Sequence, residues 1–402
     1  MSHLLCVDCS ATINAHAIAE NGPQILFCSS LKLRHNTPRH RAGRKRSLGN
    51  EGSVNKTQSI LAVVFLVSGL GYASHSPAVP AKYSAAAYRS RPSAQAPLHP
   101  QRAVVITVDD LPGALPGNDF ALGDLKTLQK INRGIPAILK THHAWAVGFV
   151  NERKLQVWGE RDARAEMLQM WLDAGLTLGN HTYEHTDFNA ATLQKFEDET
   201  IRGEAVTRVL MKASGQTEKY FRHPYLNTGA TAEAKSAFEQ FLKDRNYVIA
   251  PVTVEDGDYV FNDVLAQATE KKDKKLEAKA KQAYLDYVDT VFDYYEKDSL
   301  ADFNREVPQV FLIHDNQINL ECLDAVLTKL EKRGYKFVSL DAALADPAYA
   351  TPDLYVGDGL SWLDRWKPAL NLKIDKDKGP EPPDWAQKIF DKMRAEKQKN
   401  NY

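Results

Sequence analysis

The sequence alternates short apolar, β-branched runs with longer segments of helical periodicity, and this alternation constrains the fold more than any other feature. The first run, Ala103–Thr107, is continuous, as expected for a strand buried on both faces. Six similar runs follow, at Ala144–Val150, Leu176–Gly179, Tyr220–Arg222, Tyr247–Val252, Val310–His314 and Lys336–Leu340. Strands that alternate with helices predict a parallel sheet with crossover helices. Seven strands fit either a barrel lacking one unit or an open doubly wound sheet, and periodicity does not choose between them.

The connection between the fifth and sixth runs, residues 262–306, is unusually long. We predict a helical insertion here, with a lysine-rich solvated face and an aromatic stripe that packs against the core, or alternatively stacks on carbohydrate. The stripe consists of Tyr284, Tyr287, Val288, Val291, Tyr294 and Tyr295. After the seventh run, residues 346–402 form a C-terminal extension with an amphipathic helix predicted near residues 383–397. The sequence of this extension indicates no function.

The first 101 residues differ in character from the rest of the chain. The apolar run Ile60–Ala73 has 14 residues, fewer than the roughly 20 that a membrane-spanning helix needs. Since a basic stretch precedes it and small residues end it, residues 1–73 are predicted to be a leader with a signal peptide. Residues 74–101 are rich in Ala, Ser and Pro and indicate a linker. We therefore expect an exported protein, periplasmic or secreted, with no permanent membrane span.

Charge argues against a nucleic-acid-binding protein, and cysteine content argues against a disulfide-stabilised one. Residues 1–59 hold 8 Lys and Arg against 3 Asp and Glu, whereas the remainder holds 43 against 48. A mildly acidic body argues against nucleic acid as a partner, because phosphate binding needs clustered positive charge. Cys322 is the one cysteine after residue 28, so no disulfide framework stabilises the body. The sequence does not indicate the oligomeric state.

Polar residues cluster where the predicted strands end. In a parallel α/β fold these carboxyl ends meet at one edge, where functional residues gather. The clusters are Thr107–Asp110, Asn180–His185, Arg222–Tyr225, Glu255–Tyr259 and Leu312–Asp315. We therefore expect their side chains to converge on one site.

Two histidines in these clusters, His181 and His185, have the spacing of a metal-ligand pair. Residues four apart project to the same side of one helical turn, which is the local structure predicted here. A carboxylate added to two imidazoles gives a ligand set that suits zinc or a similar divalent ion with open positions. A second carboxylate as base and a separate histidine as acid complete the equipment for metal-assisted hydrolysis of an amide or ester.

In this order the motifs resemble those of the polysaccharide deacetylase superfamily, also called carbohydrate esterase family 4 or the NodB homology domain. The resemblance covers residues 102–345 and implies that they form the catalytic domain. It rests on Thr107–Asp110, His181–His185, Arg222–Tyr225, Asp258-Tyr259 and Leu312–His314. The fold that it implies is a deformed seven-stranded (β/α) barrel, here with the long helical insertion between strands 5 and 6.

The resemblance also implies a role for each site residue. Asp110, His181 and His185 would ligate a divalent metal ion, expected to be zinc, with cobalt or nickel as alternatives. Asp109 would be the base, oriented by Arg222, and His314 the acid that protonates the departing amine. Asp258 (or Asp256) would fix the His314 tautomer. The backbone N–H of Tyr225 would hold the oxyanion, and Leu312 and Tyr259 would enclose the acetyl methyl group.

Several positions depart from the family pattern. Leu111-Pro112-Gly113 follows the paired aspartates where the family usually has Gly, so the first loop differs in shape. Leu226 stands at another position where the family commonly has Gly, and His223 stands where the family commonly has Pro. Tyr259 stands where the family usually has Trp. These differences bear on the substrate more than on the metal. His142 and His143 precede the second strand, at the opposite end of the barrel, and are interpreted as structural.

The expected function is removal of N-acetyl groups from an amino-sugar polymer or oligomer of the peptidoglycan or chitin type. Two alternatives keep the metal site and change the substrate, to an O-acetyl ester as on xylan or to a small cyclic amide. A third alternative is a non-catalytic carbohydrate-binding protein, since a fold does not dictate a function.

Overall fold

A central strand, β1, organises the sheet because it pairs on both sides. The structure, a computed structural model, describes residues 102–117, 122–374 and 379–400; the predicted leader (residues 1–73) and linker (residues 74–101) fall outside these ranges. The strands are β1 Ala103–Leu111, β2 Ala146–Val150, β3 Thr177–Asn180, β4 Tyr220–Phe221, β5 Val248–Ile249, β6 Val254–Glu255, β7 Gln309–His314 and β8 Lys336–Phe337.

All the strand pairs are parallel, and the order across the sheet is β5-β4-β3-β2-β1-β7-β6, with β8 paired to the first residues of β1. Val104, Val105, Ile106 and Val108 are fully buried. Two-sided burial explains why this run is continuously apolar rather than alternating. The predicted deformed seven-stranded (β/α) barrel is confirmed.

The fifth predicted strand, Tyr247–Val252, is wrong as a single element. The chain forms two short strands instead: β5 pairs with β4, and β6 pairs with β7 at the other end of the sheet. The residues between them span the opening, with Ala250 N–H donating to Phe221 and Thr253 N–H donating to Val310. One chain segment therefore bridges the two ends of the sheet, which is why the barrel is deformed. The seventh predicted strand is also shorter, because Ser339 caps a helix that begins at Leu340.

The helices cover the outside of the sheet. They are α1 Leu125–Thr141, α2 Arg161–Asp173, α3 Leu193–Arg202, α4 Thr207–Ala213, α5 Ala232–Asp244, α6 Asp258–Glu270, α7 Lys274–Phe303, α8 Gln317–Lys332, α9 Leu340–Leu344, α10 Trp362–Trp366 and α11 Asp384–Asn400. No helix in the described part of the chain is both long and apolar enough to cross a membrane.

The insertion between β6 and β7 is helical, as predicted, and consists of α6 and α7. Its aromatic stripe mostly packs: Tyr284, Tyr287, Val288 and Val291 belong to the main apolar core. Tyr295 is half-buried and reaches the cavity described below. The packing interpretation therefore holds for most of the stripe.

The C-terminal extension packs onto the barrel through both of its described parts. Trp362 N–H donates to Val252 (2.7 Å) and Ser361 Oγ donates to Thr253 (2.8 Å), so the extension covers the segment between β5 and β6. The predicted amphipathic helix is α11, whose Ala386 is fully buried in the main core. The Tyr287 hydroxyl donates to Pro380 (2.7 Å) just before α11.

Arg365 fastens the extension, and replacing it with Ala is expected to lower the free energy of unfolding by about 3 kcal/mol. The guanidinium is fully buried, pairs with Asp353 (Nη2–Oδ2 2.7 Å) and donates to Leu226 (3.2 Å). Its removal leaves the Asp353 carboxylate with Lys235 as its remaining ion-pair partner. Urea unfolding measures the loss. The exposed Arg161 is the matched control, with an expected change within about 0.5 kcal/mol on replacement by Ala; a similar small change at Arg365 would contradict the fastening role.

Candidate active site

The two aspartates at the end of β1 face the same cavity, although neighbouring residues in a regular strand face opposite sides. The pairing of β1 with β2 shifts register between Val108 and Leu111, and Asp110 has φ 74°. Such a bulge with a left-handed residue redirects one side chain. The irregularity therefore places Asp109 and Asp110 side by side in the site.

The two histidines also converge, but not by the predicted helical turn, which is wrong. His181 directly follows β3, and Thr182 (φ 64°) and His185 (φ 56°) both adopt left-handed conformations. The backbone N–H of Tyr183 donates to Glu199 in α3, and that of Thr182 to the side chain of Asn180. A loop fastened to its neighbours thus brings the imidazoles together, with ring centroids 4.8 Å apart.

Ligand atoms of Asp110, His181 and His185 all lie within 4.8 Å of one another, and all three residues are buried. The Nδ1 of His181 lies 2.9 Å from the carbonyl oxygen of Arg222, so Nδ1 carries the proton and Nε2 keeps its lone pair. Burial lowers the pKa of His181 to about 4, which keeps the ring neutral at neutral pH. A neutral imidazole with a free Nε2 is the form that binds a metal ion.

Asp110 supplies the negative charge of this group. Burial opposes its ionisation, but Lys154 and His185 outweigh burial and hold the pKa of the carboxyl well below its usual range. Lys154 Nζ lies 3.3 Å from Asp110 Oδ1 and donates to the backbone oxygens of Asp110 and Gly113. Two imidazole nitrogens and one carboxylate oxygen fit a divalent ion such as zinc, with positions left for other ligands.

The two carboxylate oxygens of Asp109, a residue that lines the cavity, have different surroundings. Its Oδ2 lies 3.4 Å from Arg222 Nη1, and Arg222 is fully buried and also donates to Thr107 Oγ1 (2.9 Å). Within the described residues, Asp109 Oδ1 has no hydrogen-bond partner. A buried carboxylate that is oriented through one oxygen and has no hydrogen-bond partner on the other is suited to accept a proton from a bound reactant.

His314 lies opposite Asp109 in the register of β1 and β7. Its Nδ1 is 2.7 Å from Asp258 Oδ1, while Asp258 Oδ2 accepts the His314 backbone N–H at 2.7 Å. Burial opposes protonation of the ring, but the charge and hydrogen bond of Asp258 outweigh burial and raise the pKa of His314 to about 10. The imidazole is therefore cationic at neutral pH and can donate a proton. Of the two residues expected to fix the His314 tautomer, Asp258 contacts the imidazole and Asp256 does not.

Eight of the ten predicted site residues line one cavity of about 550 Å³. The other two, Arg222 and Asp258, lie behind it and contact Asp109 and His314. The Tyr259 ring stands edge-on to His314, with centroids 6.0 Å apart, and Leu312 lies in the wall. The C-terminal extension also contributes to the wall, notably through Gly359 and Phe390.

Tyr225 and Leu226 form a strained turn at the cavity wall. Both residues have φ 56°, a left-handed conformation that favours glycine. Leu226 adopts this conformation at a position where the polysaccharide deacetylase family commonly has Gly. The extension supports this turn: Arg365 donates to Leu226, and a Cβ at Gly359 would lie 1.9 Å from the Tyr225 carbonyl oxygen. Close packing against Gly359 therefore fixes the Tyr225 backbone.

Two further histidines, His223 and His142, belong neither to the cluster of Asp110, His181 and His185 nor to the pair of His314 and Asp258. His223 is buried among Phe196, Phe221 and Phe238, with ring centroids 5.0 to 6.2 Å away. His142 follows the last turn of α1, where its ring nitrogens lie 3.1 Å from Asp324 and Glu331. These contacts agree with a structural role for His142.

The sequence analysis missed several residues of the site. Lys154 follows β2 by four residues, so the rule that functional groups follow strand ends would have indicated it. Thr107 is part of the first motif, but nothing in the sequence marks its bond to Arg222. Phe390 and Gly359 lie far from every motif, and only the packing of the extension brings them to the cavity.

Comparison with known proteins supports the family resemblance of the motifs. The sequence model of the family described as polysaccharide deacetylase matches residues 98–240, which contain the first three motifs. A search of curated proteins finds no match.

Three similar solved structures have identities of 17 to 18%. One is a carbohydrate esterase family 4 pseudoenzyme from Bacillus anthracis, 18% identical over 61% of this chain and 66% of that chain, with a TM-score of 0.38. Another is a family 4 carbohydrate esterase from Streptomyces lividans in complex with acetate. It is 17% identical over 60% of this chain and 95% of that chain, with a TM-score of 0.36. The third is an aspartate-to-serine mutant of the peptidoglycan deacetylase PdaC from Bacillus subtilis, which is 18% identical over 60% of this chain and 90% of that chain, with a TM-score of 0.37.

The match of residues 98–240 agrees with the order of motifs from Asp109 to Tyr225. The resemblance of this chain to the polysaccharide deacetylase family is thereby confirmed.

Proposed function

We propose that the protein is a metal-dependent hydrolase that removes N-acetyl groups from amino sugars. The observation that carries this proposal is the convergence of Asp110, His181 and His185 within 4.8 Å in a cavity that Asp109 and His314 also line. A divalent ion, expected to be zinc, would be held by these three ligands and would act as a Lewis acid at the acetamido carbonyl.

Asp109 and His314 carry out the two proton transfers, and other residues stabilise the oxyanion and enclose the methyl group. Asp109 accepts the proton of the attacking water, with its carboxylate oriented by Arg222. The backbone N–H of Tyr225, fixed by the packing of Gly359, stabilises the oxyanion, and such a donor contributes roughly 3 kcal/mol. His314, protonated through its pairing with Asp258, gives its proton to the departing amine. Leu312 and Tyr259 enclose the acetyl methyl group.

The cavity favours a short, uncharged sugar chain. Its described lining includes four carboxylates, Asp109, Asp110, Glu255 and Asp364, and one arginine, Arg394. With a divalent ion held by Asp110, His181 and His185 and with His314 protonated, these charges nearly balance, which suits an uncharged substrate. A volume of about 550 Å³ lies in the range of small-ligand pockets. We therefore propose acetylated oligosaccharides or chain ends as substrates, and, from the apolar run Ile60–Ala73, an exported protein that meets them outside the cytoplasm.

Acetate release tests the proposal directly. The zinc-loaded full chain is expected to release acetate from acetylated chitooligosaccharides or peptidoglycan fragments faster than from acetylated xylan or a cyclic ureide. The same assay on cobalt-loaded and nickel-loaded protein compares the rates of acetate release that the three ions support. Faster turnover of xylan esters or of the ureide would favour the corresponding alternative, and sugar binding with no turnover would favour a non-catalytic role.

A further inference from the structure

A chain of buried polar side chains leads from His314 away from the cavity. Asp258 connects to Asn319 in α8, Asn319 to Tyr284 in α7, and Tyr284 to Asp256 in the turn before α6. All four side chains are fully buried. Since buried polar groups need satisfied hydrogen bonds, the direction of each bond can be worked out from the donors and acceptors present.

The orientation of the Asn319 amide follows from its two acceptors. Its Nδ2 contacts the Asp258 carboxylate and lies 2.9 Å from the His314 carbonyl oxygen. Both partners only accept hydrogen bonds, so the amide nitrogen must face them. The amide oxygen, Oδ1, then faces the Tyr284 hydroxyl at 2.7 Å, and the hydroxyl must donate to it.

This assignment uses the one proton of the Tyr284 hydroxyl. The same oxygen lies 2.8 Å from Asp256 Oδ2. A short contact between a hydroxyl oxygen and a carboxyl oxygen needs a proton between them, and Tyr284 has none left. The proton must therefore be on Asp256, while Asp256 Oδ1 accepts the backbone N–H of Asp258 at 3.2 Å.

We propose that Asp256 is a neutral carboxylic acid at neutral pH, and that with Tyr284 and Asn319 it positions Asp258 and therefore the acid His314. The catalytic part of this inference rests on the proposed function; the protonation of Asp256 does not. Tyr284 belongs to the helical insertion, so the inference also gives that insertion a role. Asp256, Tyr284 and Asn319 are positioning residues, since none of them lines the cavity.

The electrostatic surroundings support a neutral Asp256. Burial, followed by the charge of Asp258 and of Glu255, raises the pKa of its carboxyl well above the usual range. Burial and the neighbouring carboxyls likewise raise the pKa of Tyr284, so its hydroxyl stays protonated. The groups facing Asp256 are Asp258 in α6, Tyr284 in α7 and Glu255 in β6.

The protonation state is tested by replacing Asp256 with Asn and with Ala. The Asn amide can donate to Tyr284 and accept from Asp258, so Asp256→Asn is expected to keep acetate release within about threefold of wild type. Asp256→Ala loses both bonds and is expected to fall roughly 10- to 100-fold, a part of what general acid catalysis contributes. An equal loss in both variants would show that Asp256 acts as a carboxylate and would overturn the proposal.

Infrared spectroscopy gives a readout that needs no activity. At neutral pH the difference spectrum of wild type minus Asp256→Asn should contain the carbonyl stretch of a protonated carboxylic acid. Its absence overturns the proposal. Its presence in a protein that releases no acetate from any acetylated sugar would leave the neutral Asp256 in place and reject the proposed function instead.

The positioning role is tested by the leaving group of the substrate. Tyr284→Phe and Asn319→Leu are expected to slow hydrolysis of the sugar amide roughly 10- to 100-fold. Hydrolysis of 4-nitrophenyl acetate should stay near the wild-type rate, because its leaving group needs no proton from His314. Tyr287→Phe, on the same helix but bonded to Pro380, is the control and should change neither rate. Equal losses on both substrates would mark a general structural defect and contradict the positioning role.

Discussion

Asp110→Asn is expected to abolish metal retention and to lower acetate release by about 1000-fold or more. The change removes the anionic ligand from the group that Asp110 forms with His181 and His185. Asn tolerates the left-handed conformation that Asp110 adopts (φ 74°), so the β1 bulge should persist and the fold should be kept. Metal content after dialysis and the rate of acetate release measure the effect, and circular dichroism checks the fold.

The matched control for this variant is His142→Gln. His142 is paired with Asp324 and Glu331 near the end of α1 and does not line the cavity. It should keep both metal and activity, whereas His181→Ala should behave like Asp110→Asn. Retention of metal with unchanged affinity in Asp110→Asn would mean that Asp110 is not a ligand and that the proposed centre is wrong.

The parallel sheet was predictable from the sequence because two-sided burial leaves a clear signal, whereas the choice of a barrel came from the family resemblance of the motifs. β1 and β7 read as continuous apolar runs, and each pairs with neighbours on both sides. The division of the fifth run into β5 and β6 was not predictable. Each has only two residues, and what separates them is the partner of each strand, which local composition does not encode.

The identity of the site residues was easier to predict than their local geometry. The strand-end rule and the motif order together indicated Asp109, Asp110, His181 and His185. The spacing of the histidines suggested a helical turn, but tertiary hydrogen bonds to Glu199 and Asn180 hold a loop there instead. Contacts such as the one between Lys154 and Asp110 depend on where a loop folds back, and no periodicity indicates that.

Asp258→Asn is expected to lower acetate release from the sugar amide by roughly 100- to 10,000-fold, which is the range of general acid catalysis. Without the Asp258 carboxylate, burial lowers the pKa of His314 and only the charges of Asp110 and Asp109 still raise it, so this pKa falls from about 10. A smaller fraction of the imidazole then carries, at neutral pH, the proton that the departing amine needs. The rate on 4-nitrophenyl acetate should fall much less, and equal losses on both substrates would contradict the acid role.

The same pairing predicts how stability depends on pH in protein freed of metal with a chelator. A raised pKa in the folded state means that the folded protein holds the proton more tightly than the unfolded chain does. The stabilisation is therefore complete below pH 6.5 and is lost as the pH rises towards about 10. Urea unfolding of wild type and Asp258→Asn at pH 6, 8 and 10 should show a difference that shrinks as the pH rises. A constant difference would mean that His314 is neutral in the folded protein, and the proton for the amine would then have to come from another group.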